Sequence, residues 1–150
     1  MLARRELSVS GVRARLHDRG FPAEQIDAAI ARLVESGALD DRRVARAHAR
    51  TAATVKGRGR LRVMRELQHM GIAGDVAAEA LGDVFGELDE RSLIGRALQK
   101  KLRGRTKLKD PNEYGRLYQY LMRQGFSPAG VVAALRTFRT GGSLLDDTQD

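Results

Sequence analysis

The sequence predicts an all-α protein: about eight helices in tandem three-helix repeats that together form an elongated, curved solenoid. Three observations lead there. Apolar residues recur at helical spacing along most of the 150 residues, prolines number only three, and one helix-stop motif appears three times. The copies are Leu16-His17-Asp18-Arg19-Gly20-Phe21, Leu67-Gln68-His69-Met70-Gly71-Ile72 and Leu121-Met122-Arg123-Gln124-Gly125-Phe126. Their glycines stand 51 and 54 residues apart, a period that belongs to stacked helical units.

The motif has a physical reading. A helix commonly ends on a left-handed residue just past its C-cap, and glycine takes that conformation without Cβ strain. With Gly20 in that place, Arg19 is the C-cap and Leu16 lies in the last turn, where it meets Phe21. Leu67 with Ile72 and Leu121 with Phe126 repeat the clasp. These six residues are expected in the core.

A second helix follows each stop. Pro22 and Pro128 fall where a first helical residue is expected, and Ser127 is suited to the N-cap. The apolar stripes are Ile26, Ile30 and Leu33, then Val76, Ala80, Leu81 and Val84, then Val131, Val132, Leu135 and Phe138, all at helical rather than strand spacing. A third helix opens at Leu39-Asp40-Asp41-Arg42 and at Leu88-Asp89-Glu90-Arg91, where acidic residues suit the positive end of the helix dipole. The first of these carries Val44, His48, Ala52 and Val55 on one face. The second carries Leu93, Ala97, Leu98 and Lys101 or Leu102. Asp110-Pro111-Asn112-Glu113 starts the last repeat with a cap, a proline and a carboxylate. One helical-repeat domain over 1–139 results, with repeats at about 8–55, 56–109 and a partial 110–139. Residues 140–150 read as a disordered acidic tail.

Composition sets outer limits. Without cysteine, neither a disulfide framework nor a thiolate metal site is available, and a reducing compartment is consistent. The opening MLARRELSVS has no apolar core of signal-peptide length. No stretch approaches the roughly 18 apolar residues of a membrane span, so a soluble, cytoplasmic protein is expected. The formal net charge of +8 favours a polyanionic partner.

That charge is clustered. From Arg42 to Arg65 there are nine basic residues and no acidic one: Arg42, Arg43, Arg46, Arg50, Lys56, Arg58, Arg60, Arg62 and Arg65. A second acid-free run holds Arg96, Lys100, Lys101, Arg103, Arg105, Lys107 and Lys109. Two readings stand: solvated helix faces, or a surface for phosphates or acidic protein faces. Two such runs in a chain of high net charge favour the second. Tyr114 and Tyr118 share a face with Leu117 and Leu121 and belong to packing, whereas Tyr120 points elsewhere and is the candidate for stacking on bases.

Chemistry-bearing motifs are otherwise missing. Asp40-Asp41 and Asp89-Glu90 are explained by helix capping. His17, His48 and His69 show no triad or metal spacing. Gly57-Arg58-Gly59 is too short for a phosphate loop and follows a helix, not a strand. No catalytic residue, metal or cofactor is predicted.

Taken in order, these residues resemble the RecX family. The carrying residues are Leu2-Ala3-Arg4-Arg5-Glu6 with Ser8, Leu16-x-x-Arg19-Gly20-Phe21, Leu33-x-x-x-Gly37-x-Leu39-Asp40-Asp41-Arg42, Gly59, Glu66-Leu67-x-x-x-Gly71-Ile72 and Leu121-x-x-x-Gly125-Phe126. Gly11 and Val44 depart from the family pattern, which often has an acidic capping residue and an aromatic there. The resemblance implies a bacterial, monomeric non-enzyme of the SOS and DNA-repair response. It implies binding to the RecA recombinase filament on single-stranded DNA, restraint of its ATP hydrolysis and strand exchange, and no cofactor. The basic residues Arg42 to Arg62 and Arg96 to Lys107 are then the filament- or DNA-binding candidates. A stand-alone helix-turn-helix DNA-binding protein and a helical-repeat adaptor for another partner are the alternatives.

Overall fold

The computed structural model describes residues 6–139, with side chains to Arg136. Expectations for Leu2 to Arg5, for the side chain of Phe138 and for the 140–150 tail lie outside the described residues. Within them the protein is all-α. Its eight helices are α1 (Val9–Asp18), α2 (Ala23–Glu35), α3 (Asp41–Thr54), α4 (Arg60–His69), α5 (Gly74–Phe85), α6 (Glu90–Leu102), α7 (Pro111–Gln124) and α8 (Pro128–Arg139).

The helix ends form as local chemistry dictates. Ser8, Asp40, Asp89 and Asp110 each turn a side-chain oxygen onto an amide of the first turn, and Ser127 accepts from Gly130. Pro111 and Pro128 are first helical residues, while Pro22 is instead the cap before Ala23. All three stop glycines are left-handed, with φ of 87°, 81° and 98° for Gly20, Gly71 and Gly125. Behind them Phe21, Ile72 and Phe126 donate amides to the carbonyls of Leu16, Leu67 and Leu121, the bond that closes a Schellman stop.

Packing has a different phase from the repeat seen in the sequence. Val44, Ala45, Ala49, Ala52 and Ala53 of α3 pack with Val63 and Leu67 of α4 and Ala77, Leu81 and Val84 of α5 in one core. A second core joins α6, α7 and α8 around Ile94, Leu98, Leu121, Phe126, Val131 and Leu135. The helices α1 and α2 close a smaller one over Ile26, Ile30 and Leu39. Thus α3 belongs with the helices that follow it, and α6 likewise. Four small alanines on α3 let α5 approach closely, which periodicity alone does not report. Phe85 and Leu88 touch both larger cores and join them.

Several side chains depart from expectation. Val55 lies past the end of α3 and is exposed, and His48 is at the edge of the core rather than within it. On α6 it is Leu102, not Lys101, that is buried. Val132 is on the outer side of α8. Phe21 differs most: it is 46% exposed, against 3% for Ile72 and 0% for Phe126, and its partner Leu16 is half-buried.

The reason lies in what seats on each stop. The start of α1 rests on the stop of α4: Ser8 Oγ donates to the Met70 carbonyl at 2.8 Å, and a Cβ on Gly71 would strike Ser10. The start of α4 rests on the stop of α7, here through backbone amides. Gly59 and Leu61 amides donate to the carbonyls of Gln124 (2.6 Å) and Gly125 (3.0 Å). Cβ atoms on Gly59 or Gly125 would collide with the opposite backbone. Among the described residues nothing comes within 4 Å of where a Gly20 Cβ would sit, and none of them covers Phe21 as Ile72 and Phe126 are covered.

This distinguishes the glycines. Gly20→Ala should cost only the left-handed strain, about 1–2 kcal/mol. Gly71→Val and Gly125→Ala add a steric conflict with the seated helix and should cost clearly more. Urea denaturation of the three variants measures this, and equal losses would mean that the seating contributes nothing.

Candidate nucleic-acid interface

The fold sorts the cationic side chains into two groups. Six candidates have partners within the protein. Arg42 and Arg46, one turn apart on α3, reach Glu79 and Asp83, one turn apart on α5. Arg43 bonds Glu6 and the carbonyls of Gly37 and Ala38. Arg58 and Arg62 converge on Glu66 at 2.7 and 3.2 Å, and Arg62 also donates to Gln124 across the α4–α7 seat. Arg105 holds Glu113 at 2.6 Å. The runs themselves are acid-free, and their partners lie outside them: Glu79 and Asp83 on α5, Glu6 before α1, Glu66 just past the first run and Glu113 past the second.

Two of these clusters are fixed by more than exposed pairing. Glu66 also takes His48 Nε2 at 2.8 Å. Burial pushes its carboxyl pKa up, but the His48 bond, the Arg58 charge and the Arg62 bond outweigh this and leave it below its ordinary value. Glu113 receives Arg105 and the Lys109 amide. The Arg105 bond first, and the amide second, bring its carboxyl down to about 2. The Arg42 and Arg46 pairs are half-exposed; pairs of that kind contribute about 0–1 kcal/mol each, so they offset charge more than they hold the fold.

The remaining candidates, Arg50, Lys56, Arg60, Arg96, Lys100, Lys101, Arg103 and Lys107, are all exposed. They enter no ion pair among the described residues. Three of them line one cleft. The end of α3 and the face of α6 border a cleft of about 200 Å³, lined by Lys56, Arg96, Lys100 and Tyr120 with no carboxylate. Tyr120 also lines the adjoining depression with Lys101 and Arg123. Lys56 and Arg123 line a third with Arg65. The three depressions share these residues and meet beside α7. Glu66 and Glu113 are the carboxylates on them, and both are occupied by arginines.

Tyr120 is half-buried against the second core, with Lys101 Nζ 4.7 Å from its ring centre. It is less open than sequence spacing implies, yet it stands among the unpaired cations, while Tyr114 and Tyr118 pack on the core. Arg123 belongs to this surface but to neither basic run. Its signal was helical: Arg116, Tyr120 and Arg123 share one face of α7. Arg50, Arg60, Arg103 and Lys107 line none of the three depressions. No group of His, Cys, Asp and Glu among the described residues could hold a metal ion. No described helix is long and apolar enough to cross a membrane.

A tandem all-helical protein with an unpaired cationic surface at the junction of its units is the class that fold and site define. The chain belongs to the RecX family. Models of the first, second and third three-helix domains of RecX match residues 1–33, 40–81 and 89–135, which fall on the α1–α2, α3–α5 and α6–α8 packing units. The chain is 30% identical over 147 residues to the regulatory protein RecX of Pelodictyon phaeoclathratiforme, covering 98% of this chain and 89% of that protein. With that of Amycolatopsis mediterranei the identity is 28%, covering 98% and 86%. With that of Vibrio parahaemolyticus it is 31%, covering 90% and 84%. A crystal structure of regulatory protein RecX has the same fold, with a TM-score of 0.67 at 18% identity. It aligns with 87% of this chain, which spans 63% of its length.

The clustered carboxylates set an acid limit on stability. Because the Glu113 pKa is lowered in the fold, its contribution is full above the ordinary value of 4.5 and is lost as pH falls towards about 2. Glu113→Gln should lower the melting temperature at pH 7 by roughly 2–4 °C, and the deficit should close between pH 4.5 and 2. A deficit that persists undiminished at pH 2 would exclude the charged pair as its cause.

Proposed function

We propose that this protein is a non-enzymatic negative regulator of a RecA-type recombinase, binding the RecA filament on single-stranded DNA and restraining its ATP hydrolysis and strand exchange. Its family membership supports the partner. The observation that carries the mode of binding is the meeting of Lys56, Arg96 and Lys100 on one acid-free cleft, with Lys101 over the Tyr120 ring that borders it, although they come from two separate runs in the sequence. Unpaired ammonium and guanidinium groups at one junction suit the backbone phosphates of a strand and the acidic faces of the protein that wraps it. Arg58, Arg62 and Arg105 take no part in this reading, since their charge is spent on Glu66 and Glu113.

Sequence-tolerant binding is expected. The cleft offers charge and one aromatic ring, and charge on a phosphate backbone carries no base readout. Binding to single-stranded DNA alone, without recombinase, is the second reading, and the same cations favour it.

The test is recombinase-driven ATP hydrolysis and strand exchange with and without the protein. The wild type should inhibit both at stoichiometric levels. Lys56→Glu/Arg96→Glu/Lys100→Glu should raise the concentration needed by roughly tenfold or more with unchanged helicity. Inhibition by this variant equal to wild type would sink the assignment. For the single-strand reading, four neutralised phosphates give a slope of log K against log salt of about −3. A salt-independent affinity would remove phosphate contact from it.

A further inference from the structure

The cleft between the end of α3 and the face of α6 holds more than cations. Leu93 and Ala97 of α6 form an apolar floor. Val55 stands at its edge and is 69% exposed, the most exposed of the large hydrophobic side chains among the described residues. Lys56, Arg96 and Lys100 border the same space and are exposed. A phosphate backbone would use the cations and leave Val55 and the floor in water. A ligand that uses both has carboxylates beside aliphatic side chains, which is the chemistry of an acidic peptide.

Such a segment follows α8 in the same chain. Every charged residue after Arg139 is acidic: Asp146, Asp147 and Asp150, directly behind the pair Leu144 and Leu145. We propose that the 144–150 segment docks in this cleft of its own chain and competes there with the polyanion. Leu144 and Leu145 cover Val55, Leu93 and Ala97, and the three carboxylates neutralise Lys56, Arg96 and Lys100. The length of chain allows it. Gly130 of α8 lies against Ile94, the neighbour of Leu93, and Arg139 follows about 14 Å further along the helix. Residues 140–150 span up to about 36 Å when extended, enough to return from there to the α6 face.

Weak, exposed pairs are sufficient, because a short tether holds the segment at an effective concentration of roughly millimolar order. The contact is intramolecular and leaves the protein monomeric. A long polyanion, which presents many phosphates at once, displaces the segment, whereas a short one does not. The docked segment thereby favours extended polyanions over short ones. This regulation rests on the cleft being the anion site proposed above.

Two measurements on the full chain test it, one of them without DNA. A carbodiimide joins a lysine to a carboxylate only where the two are paired, and the chain has five lysines: Lys56, Lys100, Lys101, Lys107 and Lys109. In dilute protein the 140–150 peptide should cross-link to Lys56 or Lys100 within one chain, and the product should disappear in high salt. The second measurement is affinity for a short oligothymidylate. Asp146→Asn/Asp147→Asn/Asp150→Asn should tighten it by roughly threefold or more, since the cleft is then open in a larger fraction of molecules. That gain should vanish in the Lys56→Gln/Lys100→Gln background, because a docked segment and its cleft are coupled. Cross-links absent, or spread evenly over all five lysines, overturn the proposal. So does an affinity gain that is absent, or that is as large without Lys56 and Lys100, which would be an effect of net charge. If no protein binds the oligonucleotide, direct strand binding fails and the cross-link alone decides whether the segment docks.

Discussion

The seat of one helix start on the glycine stop of another sets the architecture of this protein. Each stop reverses the chain and also offers unpaired carbonyls at a helix C-terminus, while each start offers unpaired amides. Bringing the two together satisfies groups that a helix end otherwise leaves to solvent. A Cβ built on Gly59 falls 2.5 Å from the Gly125 carbonyl and one built on Gly125 falls closer still to the Arg62 amide nitrogen, so both positions must be glycine for different reasons. Gly125 needs its left-handed φ and its lack of a side chain; Gly59, in ordinary extended conformation, needs only the latter.

Around these seats the cores fill in. Phe126, fully buried behind the α7 stop, contributes on the order of 1.5–3 kcal/mol of burial. The polar groups that cross between units are few and well matched. Arg62 bridges Glu66 and Gln124, and Asp41 accepts the amide of Val9; within the α6–α8 unit Glu90 takes both the amide and the hydroxyl of Ser127. No buried side-chain nitrogen or oxygen among the described residues lacks a partner. Arginine therefore serves two ends here: some guanidinium groups hold the units together, and others remain open to a polyanion.

That division explains how far the site could be read in advance. The two basic runs and their helical setting were legible, because charge and periodicity are properties of the string. Which cations are free was not, because the neutralising carboxylates come from elsewhere: Glu79 and Asp83 from α5, and Glu6 from the segment before α1. Glu66, only one residue beyond the first run, collects Arg58, Arg62 and His48 at once. Arg123 was hidden in the opposite way, as one unremarked letter within a stop motif.

The sequence by itself determined the helices, their caps, the three left-handed stops and the overall positive charge. These depend on neighbours within about five residues, where glycine, proline and capping side chains act directly on the backbone. Tertiary structure decided the rest. It assigned α3 and α6 to the cores that follow them, covered Ile72 and Phe126 while leaving Phe21 open, and drew Lys56 beside Arg96 and Lys100. Those outcomes depend on which helix end seats on which stop, and that contact joins residues about sixty positions apart, beyond the reach of any local pattern.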